Sequence, residues 1–137
     1  MQEKSILDYF KETLTKNYAN FTGRARRKEY WSFQLVVFII SILLTLIDIF
    51  ALGAEMGELR ILSTLFSLAT IIPSLGLVVR RLHDVGKSGW FFFIVLIPVI
   101  GAIWLLVLFF TDGESGVNKW GPNPKNPENE LDALGTE

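Results

Sequence analysis

The chain has no cysteine and only one histidine among its 137 residues. The absence of cysteine excludes disulfide bonds, thiolate metal sites and cysteine nucleophiles. A single histidine also excludes a histidine-rich metal site. The sequence contains no catalytic, cofactor-binding or metal-ligating constellation, so its information lies in the distribution of apolar and charged residues.

Charge is nearly absent from three long apolar runs, in which Asp48 is the one acidic side chain. Each run has about the 20 residues that a helix needs to cross the hydrocarbon of a membrane. We therefore predict an all-α integral membrane protein with membrane helices over residues 30–52, 59–79 and 90–110. By length it is a single membrane domain covering residues 1–125, followed by a disordered polar tail over residues 126–137.

The third run is interrupted by Pro98 and Gly101. One interpretation is a single crossing kinked at Pro98, because proline removes a backbone hydrogen bond. The other is a re-entrant hairpin that turns at residues 98–101, with arms too short to span alone. The choice decides on which side of the membrane the irregular C-terminal tail lies.

Residues 1–29 precede the first run and begin with an amphipathic pattern. Over residues 1–17, four apolar side chains fall on one helical stripe: Ile6, Leu7, Phe10 and Leu14. Such a helix either lies flat at the lipid interface or packs on the protein's own loops. Because these residues precede it, we expect the first run to be an anchor and not a cleaved signal peptide.

Basic residues are concentrated before the first run, where there are seven, and between the second and third runs, where there are three. The positive-inside rule places both segments in the cytoplasm. Six of these basic residues are candidates for setting the topology and for contacting anionic lipid headgroups: Arg24, Arg26, Arg27, Lys28, Arg80 and Arg81. The predicted partner is thus a bilayer with anionic lipids, and not nucleic acid, because one short basic run beside a membrane helix is a poor duplex-binding surface.

Polar residues form one stripe on each of the first two predicted spans. The candidates are Gln34, Ser41, Thr45 and Asp48 on the first, and Ser63, Ser67, Thr70 and Ser74 on the second. The simplest arrangement packs the stripes face to face in an antiparallel hairpin, and the alternative is a polar pathway between them. An intramembrane acid is a functional candidate, but Asp48 lies about one turn from the end of its helix, which favours a structural or interfacial role.

The segment 80–90 is predicted to be a water-facing loop that contains His83 and Asp84. Adjacent His and Asp residues suggest acid–base chemistry, but no nucleophile is identifiable, and a solvated loop histidine is the simpler interpretation. Asp84 is predicted to pair with Arg26 or Arg27, because both segments lie on the same side of the membrane.

Three segments, GRARRKEYW (residues 23–31), RRLHDVGKSGW (residues 80–90) and DGESGVNKWGPNP (residues 112–124), resemble a known family in their order and spacing. It is the family of small bacterial inner-membrane proteins called domain of unknown function 805. The resemblance implies a multi-pass protein of the bacterial inner membrane, without an established activity, substrate or catalytic residue.

These patterns favour a non-enzymatic membrane protein that acts through lipid or protein contacts. One alternative is a subunit of a small oligomeric transporter or channel that uses the polar faces of the first two helices. The other is a membrane enzyme that uses His83 and Asp84. A homo-oligomer or a membrane protein partner is compatible with the first two.

Overall fold

The computed structural model describes residues 4–55 and 60–124, and in these ranges the regular elements are all helical. The all-α class predicted from the sequence is confirmed, whereas the tail predicted to be disordered, residues 126–137, lies outside the described residues. The elements are α1 (Ile6–Leu14), α2 (Arg27–Phe50), α3 (Ile61–Asp84), a 3-10 helix (Gly89–Leu96) and α4 (Ile100–Phe110). Within the described ranges, two helices, α2 and α3, are long and apolar enough to cross a membrane.

Helices α2 and α3 form an antiparallel hairpin. At one end the Ala25 amide, just before α2, donates to the Arg80 carbonyl near the end of α3 at 2.9 Å. At the other end the Asp48 carboxylate accepts from the Ser63 amide at 2.9 Å. We call the first the charged end and the second the opposite end.

Helix α1 packs on the protein itself, against α2. Tyr9 is buried, and the ring of Phe10 stacks on that of Phe33 with centroids 5.7 Å apart. Ile6 and Leu7, which belong to the predicted apolar stripe, remain exposed. The sequence left open whether α1 lies at the lipid interface or packs on the protein's own loops. In the structure, α1 packs on protein along part of its apolar stripe, and its partner is helix α2 and not a loop.

The segment between α1 and α2 crosses the surface of α3. A Cβ atom at Gly76 would lie 2.7 Å from the Asn20 carbonyl oxygen, so this crossing requires a glycine. About one turn earlier in α3, Pro73 has no N–H to donate to the Ala69 carbonyl. The Tyr18 hydroxyl donates to that carbonyl instead, at 2.8 Å, and so supplies the missing hydrogen bond.

Residues 90–110 do not form the one helix that the prediction of a third membrane helix assumed. The chain forms a 3-10 helix, turns at Val99, and returns as α4. Val99 adopts φ 65° and ψ −60°, and the Ile100 amide donates to the Pro98 carbonyl at 2.7 Å, which is the geometry of a γ-turn. A Cβ at Gly101 would lie 1.6 Å from the Ile94 carbonyl oxygen. The two arms therefore pack backbone to backbone, and only glycine fits between them.

Both ends of this hairpin lie at the charged end of the α2–α3 pair. A Cβ at Gly89 would touch the Val79 side chain at 2.9 Å. Near the C-terminus of the hairpin's second arm, the Trp31 indole N–H donates to the Phe109 carbonyl at 3.0 Å. Helix α4 is about 16 Å long, roughly half the thickness of the hydrocarbon. The geometry thus favours the hairpin interpretation over the kinked crossing.

The loop predicted over residues 80–90 is shorter in the structure, because α3 continues through Asp84. The last turn of α3 carries the charged side chains that the sequence had placed in water. They are buried instead against the segment before α2 and the start of the C-terminal tail. Only residues 85–88 connect α3 to the 3-10 helix.

Candidate functional site: a buried ion cluster

A three-residue cluster closes the charged end, and we call Arg24, Arg81 and Asp84 the ion cluster. The Asp84 carboxylate accepts from Arg24 Nε at 2.9 Å and from Arg81 Nη1 at 2.5 Å. The three side chains are 1%, 0% and 2% exposed, in that order. Burying charge is costly unless it is paired and hydrogen-bonded, and this cluster holds two cations against one anion.

The remaining Arg24 donors bind four main-chain carbonyls, three of them in the tail. Its Nη1 donates to Gly116 O at 2.8 Å and to Gly121 O at 3.3 Å. Its Nη2 donates to Glu114 O at 2.5 Å and to Asp84 O at 3.4 Å. All three nitrogens of this guanidinium have partners, and those partners fix the tail against the end of α3.

Arg81 holds the end of the hairpin in the same way. Its Nη1 also donates to Ala25 O at 3.2 Å, its Nη2 donates to Thr111 O, and its Nε lies 3.5 Å from Phe109 O. Phe109 and Thr111 stand at the C-terminus of α4, where carbonyls lack helical donors. One buried guanidinium therefore links three segments that are far apart in sequence.

The start of the tail packs directly on the Asp84 carboxylate. The Glu114 amide donates to the Asp84 carbonyl at 2.7 Å. A Cβ at Gly113 would lie 2.1 Å from Asp84 Oδ2. Tail residues 112–124 are irregular, as predicted, but they fold back on the helices.

The predicted pairing of Asp84 with Arg26 or Arg27 is wrong about the partners, which are Arg24 and Arg81. Arg26 stands at the N-cap of α2. Arg27 forms a long, exposed ion pair with Asp112 instead, at 3.7 Å. The sequence identified the two segments that meet, but not the side chain of the first that turns inward.

His83 is not the solvated loop residue that the sequence favoured, since it is 7% exposed. Its Nδ1 lies 2.8 Å from the Gly23 carbonyl oxygen, and because a carbonyl only accepts, Nδ1 carries the proton. Its ring stacks on Trp120 with centroids 4.5 Å apart and planes 7° apart. Asn118 Nδ2 donates to the His83 carbonyl at 2.9 Å. Each of the two acid–base candidates, His83 and Asp84, is therefore bound to other groups.

Burial changes the interpretation of the headgroup candidates. Arg24, Arg80 and Arg81 are buried. Arg80 pairs with Glu29 at 2.5 Å, while its Nε and Nη2 have no hydrogen-bond partner among residues 4–55 and 60–124. Arg26 and Lys28 are partly buried, and Arg27 is exposed. Half of the six candidate cations thus face inward, away from lipid headgroups.

Asp48 caps α3 from a neighbouring helix. Its carboxylate accepts from the Leu62 amide at 3.0 Å, and from the Ser63 amide and hydroxyl, each at 2.9 Å. The first amides of a helix have no intrahelical partner, and a carboxylate there is favoured by the helix dipole. Its side chain is fully buried, so this acid acts in the helix pairing.

The rest of the two polar stripes is less closely connected. The hydroxyls of Ser67 and Thr70 donate to carbonyls of their own helix. Ser74 and three residues of α2 are partly buried: Gln34, Ser41 and Thr45. Across residues 4–55 and 60–124, the hydrogen bonds that we find between the stripes are those of Asp48 with Ser63.

Sequence reasoning missed Glu29, Glu114, Asn118 and Trp120 as parts of this end of the molecule. A signal was present, because glycines recur among polar residues in the tail (Gly113, Gly116, Gly121), as they do where backbone must approach another group closely. In the described ranges, no group of three or more metal-ligating side chains comes together.

An apolar helical hairpin closed by a buried ion cluster defines a small helical membrane protein. Residues 18–122 match the family model described as "Protein of unknown function (DUF805)", and the chain belongs to that family. Two similar proteins of Escherichia coli (strain K12) are both named as inner membrane proteins. YhaI is 46% identical over 113 residues, which cover 82% of this chain and 92% of YhaI. YhaH is 40% identical over 121 residues, which cover 87% and 98%.

No solved structure matches the chain. The family and its named members make this a bacterial inner-membrane protein whose family has no assigned function. The three segments that carry the resemblance in the sequence are the ones that meet at the ion cluster.

Proposed function

We propose that the protein is a non-enzymatic inner-membrane protein that acts through contacts with anionic lipids at its cytoplasmic face. The observation that carries this proposal is the saturation of the ion cluster. Every guanidinium nitrogen of Arg24 and Arg81 already binds the Asp84 carboxylate or a main-chain carbonyl. Such a cluster stabilises the fold, and it has no free group with which to bind a substrate or move a proton.

The proposed topology has two crossings and a re-entrant hairpin, with both chain termini in the cytoplasm. The charged end carries the N-terminal basic segment, the last turn of α3 and the start of the tail, whereas the opposite end has Arg60 as its basic residue in the described part of the chain. The positive-inside rule therefore places the charged end in the cytoplasm. Three amides at the hairpin tip are satisfied locally, since Ile100 N donates to Pro98 O, Gly101 N to Ile97 O and Ile103 N to Val99 O, and a membrane interior favours such local bonds.

Cations exposed at the charged end are the contacts we propose for anionic headgroups. Arg27 is 45% exposed despite its long contact with Asp112. Lys87 and Lys119 are also exposed, and neither forms an ion pair within residues 4–55 and 60–124. Each such cation contributes about 1 kcal/mol of attraction near an anionic surface.

The contacts of Asp48 and of the hydroxyl stripe give no support to a transporter or channel. Asp48 is occupied with capping α3, and Ser67 and Thr70 bind their own helix. The enzyme alternative is not supported either, because Asp84 pairs with arginines and does not orient the His83 ring, which binds a carbonyl through Nδ1.

Lipid selectivity of the reconstituted protein tests this proposal. Spin-labelled phosphatidylglycerol and phosphatidylcholine would be compared by electron paramagnetic resonance for their association with the protein in mixed vesicles. We expect phosphatidylglycerol to be preferred, and the preference to fall in the triple variant Arg27→Gln/Lys87→Gln/Lys119→Gln but not in Arg60→Gln, at the opposite end. Equal association of the two lipids with the unmodified protein would overturn the proposal.

A further inference from the structure

A groove of about 490 Å³ runs between α3, the N-terminal segment and the 3-10 helix. Its walls include Phe21, Leu75, Val79, His83 and Phe93. This volume falls in the range of about 300–1,000 Å³ typical of small-molecule sites. Its lining is apolar except near one end, where His83 and Ser88 lie.

The groove is polar at one end and apolar at the other. His83 stands in the last turn of α3, beside the ion cluster, while Leu75 lies eight residues earlier, about 12 Å deeper along the helix. The ligand suited to such a gradient is an amphiphile whose head lies at the charged end and whose tail points into the membrane.

His83 supplies a polar group that the fold itself does not use. Its Nδ1 is bound to the Gly23 carbonyl and Trp120 covers the ring by stacking. Its Nε2 has no hydrogen-bond partner among the described residues, although the side chain is more than nine-tenths buried and lines the groove. Because Nδ1 carries the proton, Nε2 is an acceptor, and it is free to bind a hydroxyl group of a ligand head.

Two lysines flank the polar end. Lys87 precedes Ser88 and lies over the Phe91 ring at 5.6 Å. Lys119 lies 4.7 Å from the centroid of Trp120, the ring that stacks on His83. Lys87 is the sequence neighbour of a lining residue, and Lys119 contacts the ring that covers His83, so both belong to the polar end of the groove. Neither has an acidic partner in the part of the chain that the structure describes.

We propose that this groove binds one anionic phospholipid, with an acyl chain between α3 and Phe93, with its phosphate held by Lys87 and Lys119, and with a headgroup hydroxyl, such as that of phosphatidylglycerol, donating to His83 Nε2. The proposal deepens the proposed function and rests on it, because it assigns the anionic-lipid contact to one site. Trp90, which also lines the groove and is 78% exposed, has the position that interfacial tryptophans take at headgroup level.

A second groove of the chain provides an internal control. It also measures about 490 Å³, is lined by Leu43, Leu46, Ile47, Phe50 and Ala51, and lies toward the opposite end of α2. Its lining has no polar side chain, so lipid there has no reason to be selected by headgroup charge.

Native mass spectrometry of the protein released from nanodiscs with equal phosphatidylglycerol and phosphatidylcholine tests the site. We expect one retained phosphatidylglycerol per chain. Lys87→Gln and Lys119→Gln should each lower the preference for phosphatidylglycerol about fivefold, and Leu75→Trp, which fills the groove, should abolish retention. The matched controls Lys11→Gln/Lys16→Gln, in and just after α1, and Leu43→Trp in the second groove should leave retention unchanged.

The outcomes separate this inference from the broader proposal. If phosphatidylglycerol is enriched around the protein but retention is insensitive to Leu75→Trp and to both lysine changes, the groove is not the site, and the general lipid preference stands. If neither enrichment nor retention is seen, both proposals fail. Retention of phosphatidylcholine in equal amount would also overturn the site.

Discussion

Replacing Asp84 by asparagine removes the one negative charge of the ion cluster. Two guanidinium groups would then remain buried with their side chains at most 1% exposed. Breaking a buried ion pair by removing one partner costs about 3–5 kcal/mol. The asparagine oxygen retains an acceptor for Arg24 or Arg81, so we expect a loss at the lower end, about 3 kcal/mol of unfolding free energy.

The assay is equilibrium unfolding in mixed micelles with increasing dodecyl sulfate, followed by tryptophan fluorescence. Asp112→Asn is the matched control, because Asp112 contacts Arg27 at 3.7 Å with its side chain 56% exposed, and an exposed pair contributes at most about 1 kcal/mol. In an Arg24→Gln background, the cost of Asp84→Asn should fall, because one uncompensated charge is gone. A cost for Asp84→Asn no larger than that of Asp112→Asn would refute the idea that the ion cluster holds this end together.

Three further predictions concern other parts of the fold. Gly101→Ala places a Cβ 1.6 Å from the Ile94 carbonyl oxygen, so it should destabilise the hairpin by at least the ~1–3 kcal/mol of an overpacked core. The control is Ala102→Gly, at an exposed neighbouring position. Equal unfolding midpoints for the two variants would contradict the close packing of the arms. Asp48→Asn should cost about 1–3 kcal/mol, because both carboxylate oxygens accept from amides of α3 and the side-chain nitrogen of asparagine cannot accept. Asp48→Ala, which removes both acceptors, should cost more, and an unchanged unfolding midpoint in both variants would show that Asp48 does not cap α3. Tyr18→Phe should cost about 1 kcal/mol of unfolding free energy. The cost should be much smaller in a Pro73→Ala background, because the N–H of the introduced alanine can donate to the Ala69 carbonyl. Equal costs in the two backgrounds of this double-mutant cycle would show that Tyr18 does not replace the missing donor.

Apolar length and the distribution of charge were sufficient to predict the helical class and the approximate positions of α2 and α3. The predicted spans 30–52 and 59–79 correspond to Arg27–Phe50 and Ile61–Asp84. The largest boundary error lies at the end of α3. The composition of residues 80–84 predicted a loop, because charged residues are rarely buried unless they have partners. Those partners lie some sixty residues upstream and thirty residues downstream in the sequence.

Residues 90–110 show why the third element could not be decided from hydropathy. A hairpin and a kinked crossing have the same composition, and both accept Pro98 at their centre. What favours the hairpin is the contact of Gly101 with Ile94 and the return of Phe109 to Trp31. Neither contact produces a periodic pattern that could be read from a single sequence.

The candidate site was predictable by segment and not by side chain. The meeting of the first basic segment with Asp84 was expected from their shared side of the membrane. The choice of Arg24 over Arg26 and Arg27 depends on the extended backbone before α2, which brings Ala25 against Arg80 and turns Arg24 inward. The return of the tail depends on carbonyl acceptors that every residue has, and for this reason composition predicted no more than an irregular segment.

The most direct test of the fold asks on which side of the membrane the tail lies. Because the chain has no cysteine, single-cysteine variants can be labelled in spheroplasts with a membrane-impermeant maleimide. Three exposed positions serve: Lys16→Cys before α2, Glu55→Cys after α2 and Ser115→Cys in the tail. With a hairpin over residues 90–110, Glu55→Cys is labelled in intact spheroplasts, whereas Lys16→Cys and Ser115→Cys react only after permeabilisation. Labelling of Ser115→Cys together with Glu55→Cys, while Lys16→Cys stays protected, would mean that the third apolar run crosses the membrane.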